Sequence, residues 1–430
     1  MRVICLAFSF ILFASGAHAF CGFFVAKADG SLYNESSKVV YVRDGRKSVI
    51  TMSADYRGPA KDFAMVIPTP RVLREGDIRT VDASIVNHLD DYTAPRLVEY
   101  FDYDPCNSDI LMEPEVVIET VEESSSCGIF GCRDQRKAAA QNLGVTIQGE
   151  YAIDAYDVLI LSAEQSGGLA TFLTNEGYKL PNGAEAVLAD YIGAGMKFFV
   201  ARVNLERHAA GESQELKPLQ ISFKSRDFML PIQLGKLNAE ESQDALFFML
   251  TRSGRVELAN YGNRSIPADE NIPSFVEEMF PYFYRSMFNK TVGSRGGIVM
   301  EYAWDMSWCD PCAADPLSNK DLATLGVGWL KEGSQQGQDV YVTRFHAQYT
   351  KGQMMKDPAF RVTENRQNFQ GRYIMNQPFV GDVSCEAGKE YVQQKRLDLR
   401  QEAVRLAEMT GWSPRKIEDR IRKSVPASYW

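Results

Sequence analysis

Residues 38–52 read KVVYVRDGRKSVITM. Two β-branched runs flank Arg43-Asp44-Gly45-Arg46, and Asp-Gly between such runs is a strong signal for a tight antiparallel hairpin. That commits the chain to sheet. A third strand is expected at 63–68 (FAMVIP), stopped by Pro68 and Pro70, because proline cannot donate to a ladder. Further strands are expected at 156–161 (YDVLIL), 197–203 (KFFVARV), 219–223, 227–232, 245–251, 255–257, 298–304 (IVMEYAW) and 340–345 (VYVTRF). The prediction is an α+β fold: an antiparallel-strand-rich body with a few packed helices, stapled by disulfides, plus a helical C-terminal tail.

Helix signals sit between these strands. Asp82 is a candidate N-cap for a helix around 82–89. Ser162 is read as the cap of a helix running to about residue 176, with Gly177 as terminator. A second helix is expected at 184–192. The passage 156–203 therefore has the spacing of half an α/β unit. No glycine-rich phosphate loop opens either helix, and Gly167-Gly168 lacks the dinucleotide fingerprint. KDFAMVIP at 61–68 is weakly echoed by RDFMLPI at 226–232, which raises the idea of two β modules of similar design.

The chain's start reads as a cleavable secretory signal over 1–19: Arg2, an apolar run over 3–14, then Ala17-His18-Ala19 as a small-x-small cleavage site. The run is shorter than the about 20 residues a bilayer span needs, and no later stretch is long and apolar enough to span. Export to the periplasm or beyond is expected. Net charge is −9 at neutral pH, becoming −10 once Arg2 leaves. So acidic a chain is a poor general binder of nucleic acid, whose phosphates need a basic face.

Of eight cysteines, Cys5 leaves with the signal. Cys21, Cys106, Cys127, Cys132, Cys309, Cys312 and Cys385 remain, in a compartment where disulfides persist. Cys127/Cys132 and Cys309/Cys312 look like local loops. Cys21, Cys106 and Cys385 compete for one further bridge, and an odd count leaves one thiol over.

The expected organisation is a β-rich part over 20–118, an exposed excursion over 119–140 carrying Cys127 and Cys132, an α+β part over 141–388, and a helical tail over 389–430. The tail holds ten Lys/Arg against six Asp/Glu. Val392, Leu399 and Leu406 recur every seven residues, and Ser413-Pro414 opens a last helix. These helices are read as packed on the body, with a partner helix or an anionic membrane surface as the alternative. On this reading the tail is removable without unfolding the rest.

Chemistry candidates are few. SWCDPC at 307–312 has the Trp-Cys-x-Pro-Cys arrangement of thioredoxin-like redox centres. A redox pair needs a low-pKa thiolate, commonly at a helix N-terminus. Pro316 argues against a helix running on from Cys312, and the next helix is expected at 318–325, ended by Gly326. Asp310 would raise a neighbouring thiol's pKa. The structural staple is the leading reading and thiol–disulfide exchange the alternative. Mature histidines are His88, His208 and His346, none near another in sequence, and only one CxxC occurs. No metal site or cofactor is therefore expected. Met354-Met355 lacks the repeat a copper-binding stretch would show. No G-x-S-x-G nucleophile motif is present. Tyr282, Phe283 and Tyr284 are noted as a conceivable groove lining.

Several stretches are similar to one bacterial family: CGFF at 21–24, TMSADYRGPAKDFAMVIPTP at 51–70, LDDYTAPRLVEYFDYDPC at 89–106, LPNGAEAVLADYI at 180–192, EYAWDMSWCDPC at 301–312 and VTRFHAQYT at 342–350. They resemble domain of unknown function 2330, a group of exported bacterial proteins. The resemblance carries no catalytic residue across. Its matched cysteines, Cys21, Cys106, Cys309 and Cys312, fit a fold-holding role, while Cys127/Cys132 and the tail fall outside it. The expected function is that of a non-enzymatic binding or envelope-associated structural protein.

Overall fold

The computed structural model describes residues 23–26, 33–57, 63–107, 141–204, 206–207, 216–238, 242–309, 312, 314–331, 333–354 and 356–430. Residues 1–19, read above as a signal, Cys21, the 119–140 stretch read as an excursion with Cys127 and Cys132, and His208 lie outside them.

The expected hairpin is the centre of the largest sheet. β2 (Tyr33–Asp44) and β3 (Lys47–Arg57) pair antiparallel around a two-residue turn. Gly45 adopts φ 55° there, a conformation glycine reaches without steric cost. β3 continues to β10 (Leu219–Lys224) and β5 (Ile78–Thr80). On the other side β2 runs parallel to β11 (Gln243–Thr251). There follow β16 (Tyr341–Tyr349), β15 (Gly297–Asp305) and the short β13 (Arg264–Ser265), with β18 (Phe369–Gln370) also on β15.

Both faces of this sheet are covered, so its strands are apolar almost throughout. Val39, Tyr41, Ile50, Phe247, Met249 and Phe345 face a second sheet. That sheet has the order β1 (Phe23–Ala26), β4 (Phe63–Thr69), β9 (Lys197–Val203), β8 (Tyr156–Ala163), β7 (Val145–Ile153). It contributes Met65, Ile67, Val158, Ile160 and Phe199 to the shared core. Its outer face, with Val66, Leu161 and Val200, is closed by α2 (Ser166–Asn175) and α3 (Ala184–Gly193).

The outer face of the large sheet presents Val40, Val42, Phe248, Leu250 and Val342 to α1 (Ala83–Thr93) and α5 (Asn319–Leu325). Asp82 caps α1 by accepting from Ser84 N, and Ser318 caps α5 by accepting from Asp321 N. Gly326 ends α5 at φ 107°, where an added Cβ would come within 2.7 Å of Val49.

The last core region joins α4 (Phe280–Val292), α6 (Glu386–Thr410) and α7 (Pro414–Ser424) to a small sheet. Its strands are β14 (Glu270–Asn271), β19 (Arg372–Gln377) and β6 (Arg96–Phe101). β12 (Val256–Leu258) and β17 (Phe360–Val362) form a separate ribbon. Leu399, Ala403, Leu406, Met409, Ile417, Ile421 and Tyr429 of the 389–430 segment are buried here beside Phe283, Met287 and Tyr373.

Three local expectations change. Ser162 does not cap a helix, because β8 runs on to Ala163 in register with Val145 of β7, and α2 starts only at Ser166. The 156–203 passage is not half of a parallel α/β unit, since β8 and β9 pair antiparallel. The end of β8 lies opposite the start of β9, Leu161 against Phe198, so after two helices of 10 residues each the chain re-enters the sheet at the end it left. Residues 227–232 form no strand and make only an isolated bridge, Met229 to Ala359. The echo of 61–68 is thus not repeated in structure, whereas β4 itself runs on through Pro68 to Thr69, paired with Lys197 of β9.

Candidate functional site

The redox-like motif hangs from the end of β15. Asp305 Oδ1 accepts from Ser307 N at 3.0 Å and from Ser307 Oγ at 2.6 Å, turning the chain. Trp308, half-exposed, meets Trp304 edge-on at 4.9 Å between ring centroids. Tyr92 donates to the Trp308 carbonyl at 3.3 Å. Cys309 and Cys312 are bonded, the first half-buried and the second exposed. Neither stands at a helix N-terminus, since α5 begins at Asn319, so no helix dipole favours a thiolate at Cys309. Cys106, just past β6, is bonded to Cys385, the N-cap of α6, with Cα atoms 6.0 Å apart.

The other singled-out residues scatter. On α4, Tyr282 faces outward and stacks on Trp412 at 5.1 Å, Phe283 is buried, and Tyr284 turns toward the large sheet. Successive helical residues point about 100° apart, so the three do not line one groove. His88 Nε2 is 2.7 Å from the Asp315 carbonyl. Met354 is buried. Among the described residues no group of three or more His, Cys, Asp or Glu is placed to hold a metal ion. No helix among them is long and apolar enough to cross a membrane.

His346 belongs to a buried chain of alternating charges across the outer face of the large sheet. Lys38 Nζ meets Asp90 Oδ2 at 2.8 Å, and Asp90 Oδ1 meets Arg344 at 2.6 Å. Arg344 Nε donates to Glu301 Oε2 at 2.6 Å. Glu301 Oε1 lies 2.7 Å from His346 Nδ1 and also accepts from the Tyr284 hydroxyl. His346 Nε2 is 3.2 Å from Asp244 Oδ1, and the Phe288 ring stacks on the imidazole at 3.9 Å. Glu301 is 0 % exposed. Burial pushes its carboxyl up, but His346 and Arg344 outweigh burial and hold it below the usual range. Burial likewise pushes His346 down, but Glu301 and then Asp244 raise it to about 9. Every charge here faces an opposite one, so the network pins α1 and α4 to the sheet and leaves no group free for chemistry. Its signal was present in VTRFHAQYT: Arg344, His346 and Gln348 alternate with Phe345, Ala347 and Tyr349, placing three polar groups on one face.

A concavity opens between the two sheets. It measures about 430 Å³ and is walled by Tyr41, Ile50, Met52, Ile67, Ile221 and Phe223, with Met196 and Met229 also lining it. Part of its rim is the segment leaving β10. Arg43, itself buried, donates to Ser48 Oγ at 2.7 Å and to the carbonyls of Ser225 (3.1 Å), Arg226 (3.1 Å) and Asp227 (3.3 Å). Its guanidinium also lies 5.3 Å from the centre of the Phe228 ring. The 225–227 backbone is thereby fixed, and Lys224, Arg226 and Asp227 are exposed at the mouth. The Tyr41 hydroxyl, 3.1 Å from Ser48 Oγ, is pushed up by burial, so it stays protonated. A second, more polar concavity of about 270 Å³ lies between the β12 region, β13 and residues 367–369.

No curated protein and no solved structure matches the chain. A family described as an uncharacterized protein conserved in bacteria (DUF2330) matches residues 15–361. The match contains the second sheet and every strand of the large sheet except β18, and it ends inside β17, before β19, α6 and α7. With most of its length so matched, the chain belongs to the DUF2330 family of bacterial proteins.

Proposed function

We propose that this protein is an exported, non-enzymatic binding protein whose ligand places an apolar group in the cleft between the two sheets. The observation that carries the reading is the cleft itself: about 430 Å³, walled by apolar side chains from both sheets. Concave, largely apolar and pre-formed sites of this size are where small ligands bind. The buried acid and base groups support a binding rather than a catalytic role, because Glu301, Arg344 and His346 neutralise one another away from the cleft. Export is supported by the signal-like residues 1–19 and by two bonded cysteine pairs, which suit an oxidising compartment. For thiol–disulfide exchange the motif remains the argument, without a helix N-terminus to activate Cys309.

The test is titration with the neutral apolar fluorophore N-phenylnaphthylamine. Ala194 is exposed at the cleft mouth, so Ala194→Trp plugs the mouth without entering the core. The wild type should bind with enhanced fluorescence, and the variant, melting at the same temperature, should bind at least about tenfold more weakly. Absence of wild-type binding, or equal binding by both, would overturn the reading.

A further inference from the structure

We infer that the ligand of this cleft is an anionic amphiphile: an apolar chain between the sheets and a carboxylate or phosphate head at the mouth beside Lys224 and Arg226. This rests on the cleft reading above and adds the head group to it. The rim carries Lys224 and Arg226, both exposed, and among the described residues neither side chain makes an ion pair. Just behind the rim, Arg43 is buried beside the Tyr41 hydroxyl and donates to the Ser48 hydroxyl and three carbonyls, and among the described residues no carboxylate is paired to it. A buried guanidinium cannot lose its charge, and the low-dielectric wall around it transmits its field to the mouth.

Against these three cations stands one carboxylate among the described lining residues, Asp227, whose backbone N–H donates to Ser225 Oγ at 3.0 Å. The mouth is thus positive by two on a chain whose net charge is −9. The long-range field of the chain repels anions, so an anionic head would be selected by this local feature alone. A neutral apolar ligand would leave the cluster without purpose, and a cationic amphiphile would meet like charge.

The experiment is displacement of bound N-phenylnaphthylamine from the full-length protein by four amphiphiles of equal chain length: dodecanoate, dodecyl phosphate, dodecanol and dodecyltrimethylammonium. Dodecanoate, dodecyl phosphate or both should displace the probe at about tenfold lower concentration than dodecanol, equivalent to about 1.4 kcal/mol. The cation should be weakest. Which of the two anions is stronger identifies the head as carboxylate or phosphate. High salt should shrink the anion advantage. In the Lys224→Gln/Arg226→Gln double variant the anion-to-alcohol ratio should fall toward one, and in Asp227→Asn it should rise. Equal displacement by all four overturns the anionic head and leaves the apolar cleft standing. Failure of the probe to bind at all removes both.

Discussion

The bridge between Cys106 and Cys385 should be the most stabilising covalent feature of the described chain. It spans a sequence separation of 279, whereas Cys309–Cys312 spans 3. In the chain-entropy model a cross-link removes freedom from the unfolded ensemble in proportion to the logarithm of the loop it closes. At 25 °C that gives about 5–6 kcal/mol for the long loop and about 2 kcal/mol for the short one. Measured bridges usually deliver less than the model, so about 3–5 kcal/mol is expected for the first. Serine is the right replacement, because Cys385 is also the N-cap of α6 and its Sγ accepts from Gly388 N at 3.1 Å. A serine hydroxyl preserves that cap, so the Cys106→Ser/Cys385→Ser variant isolates the cross-link. Equilibrium unfolding in urea, followed by tryptophan fluorescence, supplies the stability by linear extrapolation. The slope should also rise, because an untethered denatured chain exposes more surface. If the double variant loses less than about 1 kcal/mol, or less than Cys309→Ser/Cys312→Ser does, the loop-entropy argument is refuted.

Three further outcomes follow from buried groups. His346 is raised to about 9 when folded, so the stability it contributes is complete below pH 6.5 and drains away as pH rises through about 9; roughly 3 kcal/mol is at stake. His346→Gln should flatten that limb of the urea-stability profile, and a wild-type profile already flat from neutral to alkaline pH would contradict the network. Glu402, on α6 and only 5 % exposed, is pushed up to about 7, chiefly by burial. The protonated form favours the fold, with full effect below pH 4.5 and loss as pH rises through about 7. Glu402→Gln should therefore gain roughly 3 kcal/mol above neutrality and nothing in acid; a gain independent of pH would rule this out. Leu406→Ala should cost about 2–5 kcal/mol, the range for a fully buried leucine, and deletion of 389–430 should abolish cooperative melting. A truncated body that still melts cooperatively would support the removable tail read from the sequence.

Local signals carried well where one side chain decides the backbone. Asp44-Gly45 made the hairpin, and Ser318 and Gly326 bounded α5, because a cap or a positive φ is settled within a few residues. Ser162 misled because a cap residue is indistinguishable from a strand residue until the neighbouring strand is known, and β7 claimed it. The cleft was not legible for a related reason. Its walls come from β2, β3, β4, β10 and the loops after α3 and β10, and nothing in any one segment says the others are near. The Cys106–Cys385 pairing needed the same knowledge: β6 lies beside β19, and only that juxtaposition brings residue 106 to the start of α6.

Strand β2 ties the two unusual features together. Its alternation sends Lys38, Val40 and Val42 to the outer face and Val39, Tyr41 and Arg43 to the inner one. Lys38 enters the charge network through Asp90, while Arg43 fixes the rim of the cleft. The network holds a row of strands, β2, β11, β16 and β15, through ion pairs on the side away from the cleft. Such paired charges add specificity more than net stability, and specificity is what a pre-formed cleft needs from the sheet that forms its wall. Glu301→Gln should then weaken probe binding in the cleft as well as lowering stability, although Glu301 touches none of the lining residues on the opposite face. Stability lost with probe affinity intact would separate the two faces and assign the network to folding alone.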